Sequence, residues 1–290
     1  MMTAYPKSFG EIPSYAKREG LDESVARQRF AQYGLLRAFS YSKELSSALA
    51  LKGGNALNAF WIPNRSTKDL DFSMNKAMSL NDFETKLKGT FRRVQDDLGI
   101  IFRVQRGSQD IDDNPPGGPT FPILRLRIAF ALEDEYDLGR KLEAAEPTPH
   151  SNFVPLEIAF GECVCETVPV EVNGHFSLQL CTVADIMAEK LRSLLQQVTR
   201  KTTRKQDVLD LAVVLQSGTP IDIRKVSEFL RQKAPVRNVE ATKSALRDPA
   251  VKERASIDYA SLRQTAKVFI PFEEASALVM GLVDSLLIPD

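Results

Sequence analysis

Residues 49–74 change their apolar pattern twice within a short stretch. "LALKGG" is short and apolar, "NALNAFWI" has helical spacing until Pro63 and Asn64, and "KDLDFSM" alternates apolar and polar residues. Alternation is typical of a strand, and a double glycine permits a tight turn. The stretch therefore predicts a strand, a glycine turn, a short helix and a second strand, which directs the chain towards a mixed α/β fold.

The patterns on either side extend this prediction. Helical spacing runs from Leu21 to Ala48 with Asp22 as a plausible N-cap, and again over residues 80–98. The further strands are predicted at residues 99–106, 121–132, 153–162 and from 163, where "CVCETVPVEV" begins as a strand or hairpin. Residues 107–120, "GSQDIDDNPPGGPT", are predicted to be a mobile loop because of their Pro and Gly content.

The apolar spacing becomes mostly helical at Thr182, where Asp185 follows three residues later as in a capping box. We therefore expect two domains. Residues 1–181 would form an α/β domain with an N-terminal helical extension, and residues 182–290 a helical C-terminal domain.

Composition excludes some classes of protein. Lys plus Arg number 38, as do Asp plus Glu, so any basic surface must be local. Cys163, Cys165 and Cys181 fit neither a disulfide framework nor zinc spacing, and we expect buried thiols. Two histidines argue against a zinc site or a histidine-based triad. Neither the first twenty residues nor segment 275–289 resembles a signal peptide or membrane span, which predicts a cytoplasmic protein without a membrane partner.

Asp69 and Asp71 are the first candidate site residues. On a strand both would project from one face, and paired carboxylates repel unless a cation lies between them, which suits Mg²⁺. Gly53 and Gly54 would let backbone amides approach phosphate oxygens, and Asn55 would add a side-chain donor. Each motif alone is also typical of an ordinary turn or of a solvated strand face.

The combination of "GGNAL" with "RSTKDLDF" resembles the signature of the DNA polymerase β-like nucleotidyltransferases, and within them the AbiEii/AbiGii toxin family. Its members show Gly-Gly-Thr/Ser-Ala-Leu and Arg-x-Ser-x-Asp-Leu-Asp-Phe. Here Asn55 replaces the hydroxyl residue, and one extra residue separates Ser66 from Asp69. The resemblance implies an α/β N-terminal nucleotidyltransferase domain with a mixed sheet, followed by a helical C-terminal domain. It also implies nucleotide binding by Arg65 and Ser66.

A third carboxylate is expected from a neighbouring strand. In "VPLEIAFGE", Glu157 lies between Leu156 and Ile158, which face the opposite way. By resemblance Glu157 would be a metal ligand or the base that accepts a proton from the attacking hydroxyl. The alternative is an outward-facing strand glutamate.

A second block, "ADIMAEKLRSLLQQV", resembles the Ala-Glu-Lys-Leu helix of the family. At about 100° per residue Lys190 lies beside an apolar stripe and Glu189 faces away. By resemblance Lys190 would bind nucleotide phosphate, Asp207 on the next helix would orient the nucleotide or this lysine, and Asp210 would approach the same side. The alternative for Lys190 is a side chain whose stem lies along the helix edge with its amine in water.

The segment "RKTTRK" between these helices contains Arg200, Lys201, Arg204 and Lys205. Residues 183–254 contain 15 Lys or Arg and 9 Asp or Glu, in contrast to the neutral whole. A local positive surface beside a nucleotide site is what an RNA acceptor requires, although a solvated basic loop is equally compatible.

The resemblance implies a function. It predicts a Mg²⁺-dependent toxin, with two ions, that moves a nucleoside monophosphate from an NTP to an acceptor hydroxyl, most plausibly the tRNA 3′ end. It also predicts a toxin–antitoxin or phage-defence setting, with a winged-helix antitoxin from an adjacent gene as partner. The alternatives are a protein or antibiotic-like small-molecule acceptor, and an inactive binding module with the same fold.

Overall fold

The chain is represented by a computed structural model. It describes residues 5–65, 67–76, 78–112, 121–146, 152–172 and 174–290. Ser66 and residues 113–120, on which two of the sequence predictions fall, lie outside these ranges.

A mixed sheet forms the centre of the described structure. Its strands are β1 (Leu49–Leu51), β2 (Leu70–Met74), β3 (Ile101–Asp112), β4 (Phe121–Ala131), β5 (Phe153–Phe160), β6 (Thr167–Val170) and β7 (Leu178–Cys181). They lie in the order β3-β4-β5-β2-β1-β7-β6. The pairs β2–β5 and β1–β7 are parallel, and the others are antiparallel. The predicted α/β class is confirmed.

Helices surround this sheet and form most of the chain after it. They are α1 (Ile12–Glu19), α2 (Glu23–Ser40), α3 (Lys43–Ala48), α4 (Gly53–Ala56), α5 (Leu80–Leu98), α6 (Tyr136–Glu143), α7 (Val183–Arg200), α8 (Lys205–Gln216), α9 (Ile223–Val236), α10 (Lys243–Leu246), α11 (Pro249–Ser256) and α12 (Phe272–Ser285). A π-helical turn at Leu57–Trp61 follows α4, and 3₁₀ turns lie at Phe9–Glu11 and Tyr259–Gln264. No helix in these ranges is both long and apolar enough to cross a bilayer.

Local chemistry explains the ends of the two longest amphipathic helices. Ser79 accepts the amide of Asp82 at the start of α5, and Gly99 ends it in the left-handed region. Thr182 accepts the amide of Asp185 at 3.3 Å, so the predicted side-chain cap is present at α7. Both helices therefore begin where the sequence places a hydroxyl cap.

Several predicted boundaries were wrong. The helical stretch 21–48 is two helices, because Ser42 caps α3 by accepting the amide of Leu45. Residues 107–112 continue β3 instead of joining a loop, since they pair with β4 from Leu126 to Phe121. In both cases pairing or capping outweighed local composition. Residues 133–152, for which no element was predicted, contain α6, which begins without a side-chain cap.

The two faces of β2 have different surroundings, and this difference places the site. Leu70, Phe72 and Met74 are fully buried, and the Phe72 ring lies 5.0 Å from that of Phe39 on α2. Asp71 and Ser73 project from the opposite face. One continuous apolar core includes residues from Tyr5 to Ile288, so the division at residue 181 stays a prediction.

Candidate active site

An open cavity of about 620 Å³ lies between the polar face of β2 and the helices after β7. Its lining combines candidates from both halves of the sequence with residues that the sequence did not indicate. The predicted residues that line it are Gly53, Gly54, Arg65, Asp69, Asp71, Glu157, Lys190, Arg200, Arg204 and Asp207. The remaining described candidates, Asn55, Lys201, Lys205 and Asp210, do not line it.

Three carboxylates occupy one end of the cavity. Asp69 lies in the bend just before β2 and is exposed, whereas Asp71 lies within the strand and is half-buried. Glu157 on β5 is the register partner of Asp71, so the two side chains emerge from neighbouring positions. Arg125 of β4 is next in the same row and donates to Glu157 Oε2 at 3.1 Å.

The charge of this group is incompletely balanced at Asp71. Burial, the nearby charge of Asp69 and, more weakly, that of Glu157 raise the pKa of Asp71 to about 7, although the Lys52 ammonium opposes this. Within the described ranges no group of three or more His, Cys, Asp or Glu side chains is already arranged to hold a metal ion. The structure therefore brings the predicted carboxylates into one cavity without assembling them into a closed ligand set.

The two glycines are required by what packs against them. Gly53 has φ +66°, and a Cβ there would lie 2.9 Å from Asp71 Oδ2. A Cβ on Gly54 would lie 2.8 Å from Thr67 Cγ2 and 2.9 Å from Arg65 Nη2. The missing side chains thus leave room for Asp71, Thr67 and Arg65 to approach the turn.

Asn55 lies behind the site. Its side chain is fully buried, its amide donates to the backbone carbonyl of Asp69, and its Oδ1 accepts from Tyr5 at 2.9 Å and Arg29 at 3.1 Å. The proposed donation from Asn55 to phosphate finds no support in this placement, since the carboxamide points to the loop backbone.

Lys190 and Asp207 form a second wall of the cavity, and Lys190 also contacts Asp210, which does not line it. The lysine Nζ donates to Asp207 Oδ1 at 2.7 Å and Asp210 Oδ2 at 2.8 Å. Arg65 donates to both oxygens of Asp210, at 3.0 and 2.9 Å. Asp210 is 1% exposed and so anchors two cations from beneath the wall. Lys190 is 6% exposed, which excludes the solvated-edge alternative.

The ionisation of this wall follows from its pairing. Burial by itself would lower the pKa of Lys190, but the charges of Asp207 and Asp210 outweigh it and raise that pKa. Burial would likewise raise the pKa of Asp210, yet Lys190 and Arg65 bring it below its ordinary value. Both residues are therefore charged at neutral pH, and the ammonium is fixed in direction.

A further charged group in the cavity, formed by Glu162, Lys52 and Arg237, was not predicted from the sequence. Glu162, just after β5, accepts from Lys52, from Ser73 Oγ at 2.7 Å and from Arg237 Nη2 at 2.8 Å. These cations hold the pKa of Glu162 below its ordinary value although burial opposes them. The predicted outward direction of Glu189 was wrong, because it lines the cavity and accepts from Arg192.

Thr67 is a further residue that sequence reasoning overlooked in favour of Ser66. Its hydroxyl is buried without a hydrogen-bond partner, and the residue lines the cavity. When the motif Arg-x-Ser-x-Asp is aligned on Asp69, Thr67 takes the serine position and Arg65 the arginine position, and no extra residue is needed. That alignment was the available signal.

The basic segment is divided by the structure. Arg200 and Arg204 line the cavity, and Nε of Arg204 is buried without a hydrogen-bond partner. Lys205 instead donates to Asp258 and to Ser261 Oγ at 2.8 Å, while Lys201 is exposed at the end of α7. Of the predicted RNA-binding group, only the two arginines line the cavity.

The mixed sheet with a carboxylate row on β2 and β5 places the chain among proteins with the nucleotidyltransferase fold. The profile of the family described as "Nucleotidyl transferase AbiEii toxin, Type IV TA system" matches residues 35–276. The chain therefore belongs to the AbiEii nucleotidyltransferase toxin family of type IV toxin–antitoxin systems, as its sequence motifs predicted.

Solved structures show the same fold at low sequence identity. A proposed nucleotidyltransferase from Helicobacter pylori is 16% identical with a TM-score of 0.54, over 91% of this chain and 95% of that one. JHP933 from Helicobacter pylori is 15% identical with a TM-score of 0.53, over 91% and 92%. MenT4, a nucleotidyltransferase toxin from Mycobacterium tuberculosis H37Rv, is 16% identical with a TM-score of 0.52, over 96% and 89%. No curated protein matches the chain.

Proposed function

We propose that this protein transfers a nucleoside monophosphate from an NTP to an acceptor hydroxyl at the 3′ end of tRNA, and that pyrophosphate leaves. The observation that carries the proposal is one cavity with two complementary walls. Asp69, Asp71 and Glu157 form the acidic end, and Lys190, fixed by Asp207 and Asp210, forms the other side. Phosphoryl-group transfer depends mainly on positioning and on charge stabilisation, which these two walls provide.

The acidic end fits Mg²⁺ in its donor chemistry. Carboxylate oxygens are the ligands that this ion prefers, and the pKa of Asp71 is raised by burial and by the charge of Asp69, both of which a bound cation would offset. Asp69, Asp71 and Glu157 would hold two ions, which when bound would neutralise phosphate charge and lower the pKa of the attacking hydroxyl. Glu157 is available for this, because its contact with Arg125 is half-exposed and such pairs contribute about 0–1 kcal/mol.

The second wall would receive the phosphates. Two carboxylates set the direction of the Lys190 ammonium. The lysine side chain would therefore not have to change rotamer when an NTP phosphate binds. The Arg65 guanidinium and the Thr67 methyl group lie against Gly54, and the Thr67 hydroxyl is buried without a hydrogen-bond partner. These groups would orient the triphosphate, and Glu157, where it is not a metal ligand, would accept the proton of the attacking hydroxyl.

The RNA acceptor rests on positive charge in the lining of the cavity. Arg200 and Arg204 line it, and clustered cations beside a nucleotide site are what a phosphate backbone requires. The tRNA identity, the phage-defence role, the winged-helix antitoxin encoded nearby and the cytoplasmic location belong to the same proposal and come from the family resemblance.

Incubation of the protein with each labelled NTP, Mg²⁺ and total RNA tests the proposal. We expect label from at least one NTP at the tRNA 3′ end, lost with EDTA and absent for Asp71→Asn. Periodate-oxidised tRNA, which lacks the terminal diol, is the matched acceptor control. Label found only on protein or on an aminoglycoside would identify that molecule as the acceptor in place of RNA. If none of the three is labelled although NTP still binds, the protein would be an inactive binding module.

A further inference from the structure

The loop between the π-helical turn and β2 carries Arg65, Thr67 and Asp69, and its backbone is held by side chains. Asn58 Oδ1 accepts from the amides of Asn64 at 3.0 Å and Arg65 at 2.9 Å. From the other side, Arg29 Nη2 of α2 donates to the carbonyl of Arg65 at 3.2 Å. The start of the loop is thus bonded through both its donors and its acceptors.

The same arrangement continues to the end of the loop. Gln32 of α2 donates its single amide nitrogen to the carbonyls of Thr67 at 2.9 Å and Lys68 at 3.0 Å. Asn55 donates to the carbonyl of Asp69. Irregular backbone normally satisfies its carbonyls with water, whereas here amide side chains replace that water.

The holding side chains form one connected network. Arg29 Nη1 donates to Gln32 Oε1 at 3.2 Å and to Asn55 Oδ1 at 3.1 Å, and Tyr5 donates to the same Asn55 oxygen at 2.9 Å. Arg29 is 4% exposed, and Gln32 and Asn55 are fully buried. A change in any one of them therefore reaches the loop through its partners.

We propose that Arg29, Gln32 and Asn55 are positioning residues that set the direction of the Asp69 and Thr67 side chains, a role that rests on the proposed function. None of the three lines the cavity, so none touches substrate directly. Apolar side chains in place of these polar ones would pack α2 against the sheet without the desolvation cost of burying amides. The network instead fixes one irregular loop, and a displacement of about 1 Å there is enough to lower a rate about 100-fold.

Gln32→Met tests the proposal, with Gln28→Met as the matched control. Gln28 lies one turn earlier on α2 and donates to the carbonyl of Phe153 at 2.9 Å, away from the loop. Both variants remove one amide that donates to backbone, but only Gln32→Met releases the loop. We expect kcat for nucleotide transfer to fall about 10- to 100-fold in Gln32→Met, with KM for NTP within about twofold, and Gln28→Met to stay near wild type. Equal rates for the two variants would overturn the proposal.

Two readouts do not depend on activity and separate this proposal from the function itself. Amide exchange of residues 67–71 should be at least about tenfold faster in Gln32→Met than in Gln28→Met. Mn²⁺ binding to the NTP-free protein, followed by electron paramagnetic resonance, should weaken only in Gln32→Met. If the wild-type protein transfers no nucleotide, the proposed function fails, and these two measurements alone then support or overturn the positioning role.

Tyr5→Phe decides the case if Gln32→Met does not fold. It deletes only the hydroxyl that donates to Asn55 and keeps the ring that lies 5.5 Å from the Arg29 guanidinium. We expect the same pattern at smaller size, a loss of kcat of about three- to tenfold with faster exchange at residues 67–71. Wild-type values for both quantities would contradict the proposal.

Discussion

Gly53 and Asp71 approach so closely that a Cβ on Gly53 would lie 2.9 Å from Asp71 Oδ2. The first residue belongs to the turn after β1, and the second projects from β2. The backbone amide of Lys52 also donates to the carbonyl of Asp71 at 2.9 Å. The glycine turn and the carboxylate are therefore one structural unit, although Asp71 is the eighteenth residue after Gly53.

Gly53→Ala should displace Asp71, and Gly20→Ala is its matched control. Both glycines have positive φ, +66° and +64°, so both variants carry a similar backbone strain of about 1 kcal/mol. A Cβ on Gly20 meets nothing within 4 Å. Nucleotide transfer should fall about 100-fold only in Gly53→Ala, whereas the two melting temperatures should fall alike. Equal activity in both variants would mean that the contact with Asp71 is unimportant.

Asp71→Asn should abolish transfer without destabilising the metal-free protein. The pKa of Asp71 is raised to about 7, which means that the fold disfavours its charged form. A neutral amide avoids the burial of a charge and its repulsion by Asp69, but it removes the proposed metal ligand. Asp69→Ala should also abolish transfer. Circular dichroism melting and single-turnover transfer check both statements, and near-normal activity in either variant would contradict the mechanism.

Lys190→Met should lower transfer far more than Lys201→Ala. Methionine keeps the unbranched stem inside the apolar stripe but leaves Asp207 and Asp210 with one fewer cation, whereas Lys201 is exposed. We expect about a 100-fold loss of transfer and weaker NTP binding for Lys190→Met, and less than about a twofold change for Lys201→Ala. Titration with NTP, followed by calorimetry, is the measurement. Similar affinities would reduce Lys190 to a structural residue.

Glu162→Gln should lower the free energy of unfolding at neutral pH and make that free energy depend less on pH in the acid range. Glu162 is paired with Lys52 and Arg237 in a largely buried cluster, and removing one partner of such a pair costs about 3–5 kcal/mol. The pKa of Glu162 in the folded protein lies below its ordinary value of 4.5. Its contribution to the free energy of unfolding is therefore fully present above pH 4.5 and is lost as the pH falls through the lowered pKa.

Urea unfolding at pH 7, 5, 4 and 3 measures this effect. The difference between wild type and Glu162→Gln should be largest at pH 7 and shrink below pH 4.5. Glu166→Gln is the control, since Glu166 pairs with Lys225 at the surface and should give a much smaller change. A constant difference at all four pH values would contradict the assignment.

Arg200 and Arg204 should account for most of the RNA contact made by the basic segment. Neutralising both should reduce transfer to RNA and lower the slope of log affinity against log salt by about 0.9 per lost phosphate contact. The matched pair Lys201→Ala and Lys205→Ala should change it less, because Lys205 is occupied by Asp258 and Ser261. RNA binding at several salt concentrations measures the slope. Equal slopes in both double variants would place the RNA elsewhere.

Local patterns predicted much of this molecule. The strand, turn, helix and strand of residues 49–74 depend on short-range periodicity and on glycine, and the cap at Thr182 depends on neighbouring residues. The motif resemblance identified the family because its residues lie close together in the sequence. The edges of β3 and the break at Ser42 were missed, since pairing with β4 and a local cap outweighed composition.

The sequence alone indicated the candidate carboxylates, Lys190 as a candidate and the family. The tertiary structure decided which side chains share the cavity and which stand behind it. Asn55 and Asp210 face inward to hold Asp69 and Arg65, and Glu162 joins Lys52, 110 residues before it, to Arg237, 75 residues after it. No periodicity records such contacts, because their partners are brought together only by strand pairing and by the packing of α2, α7 and α8 against the sheet.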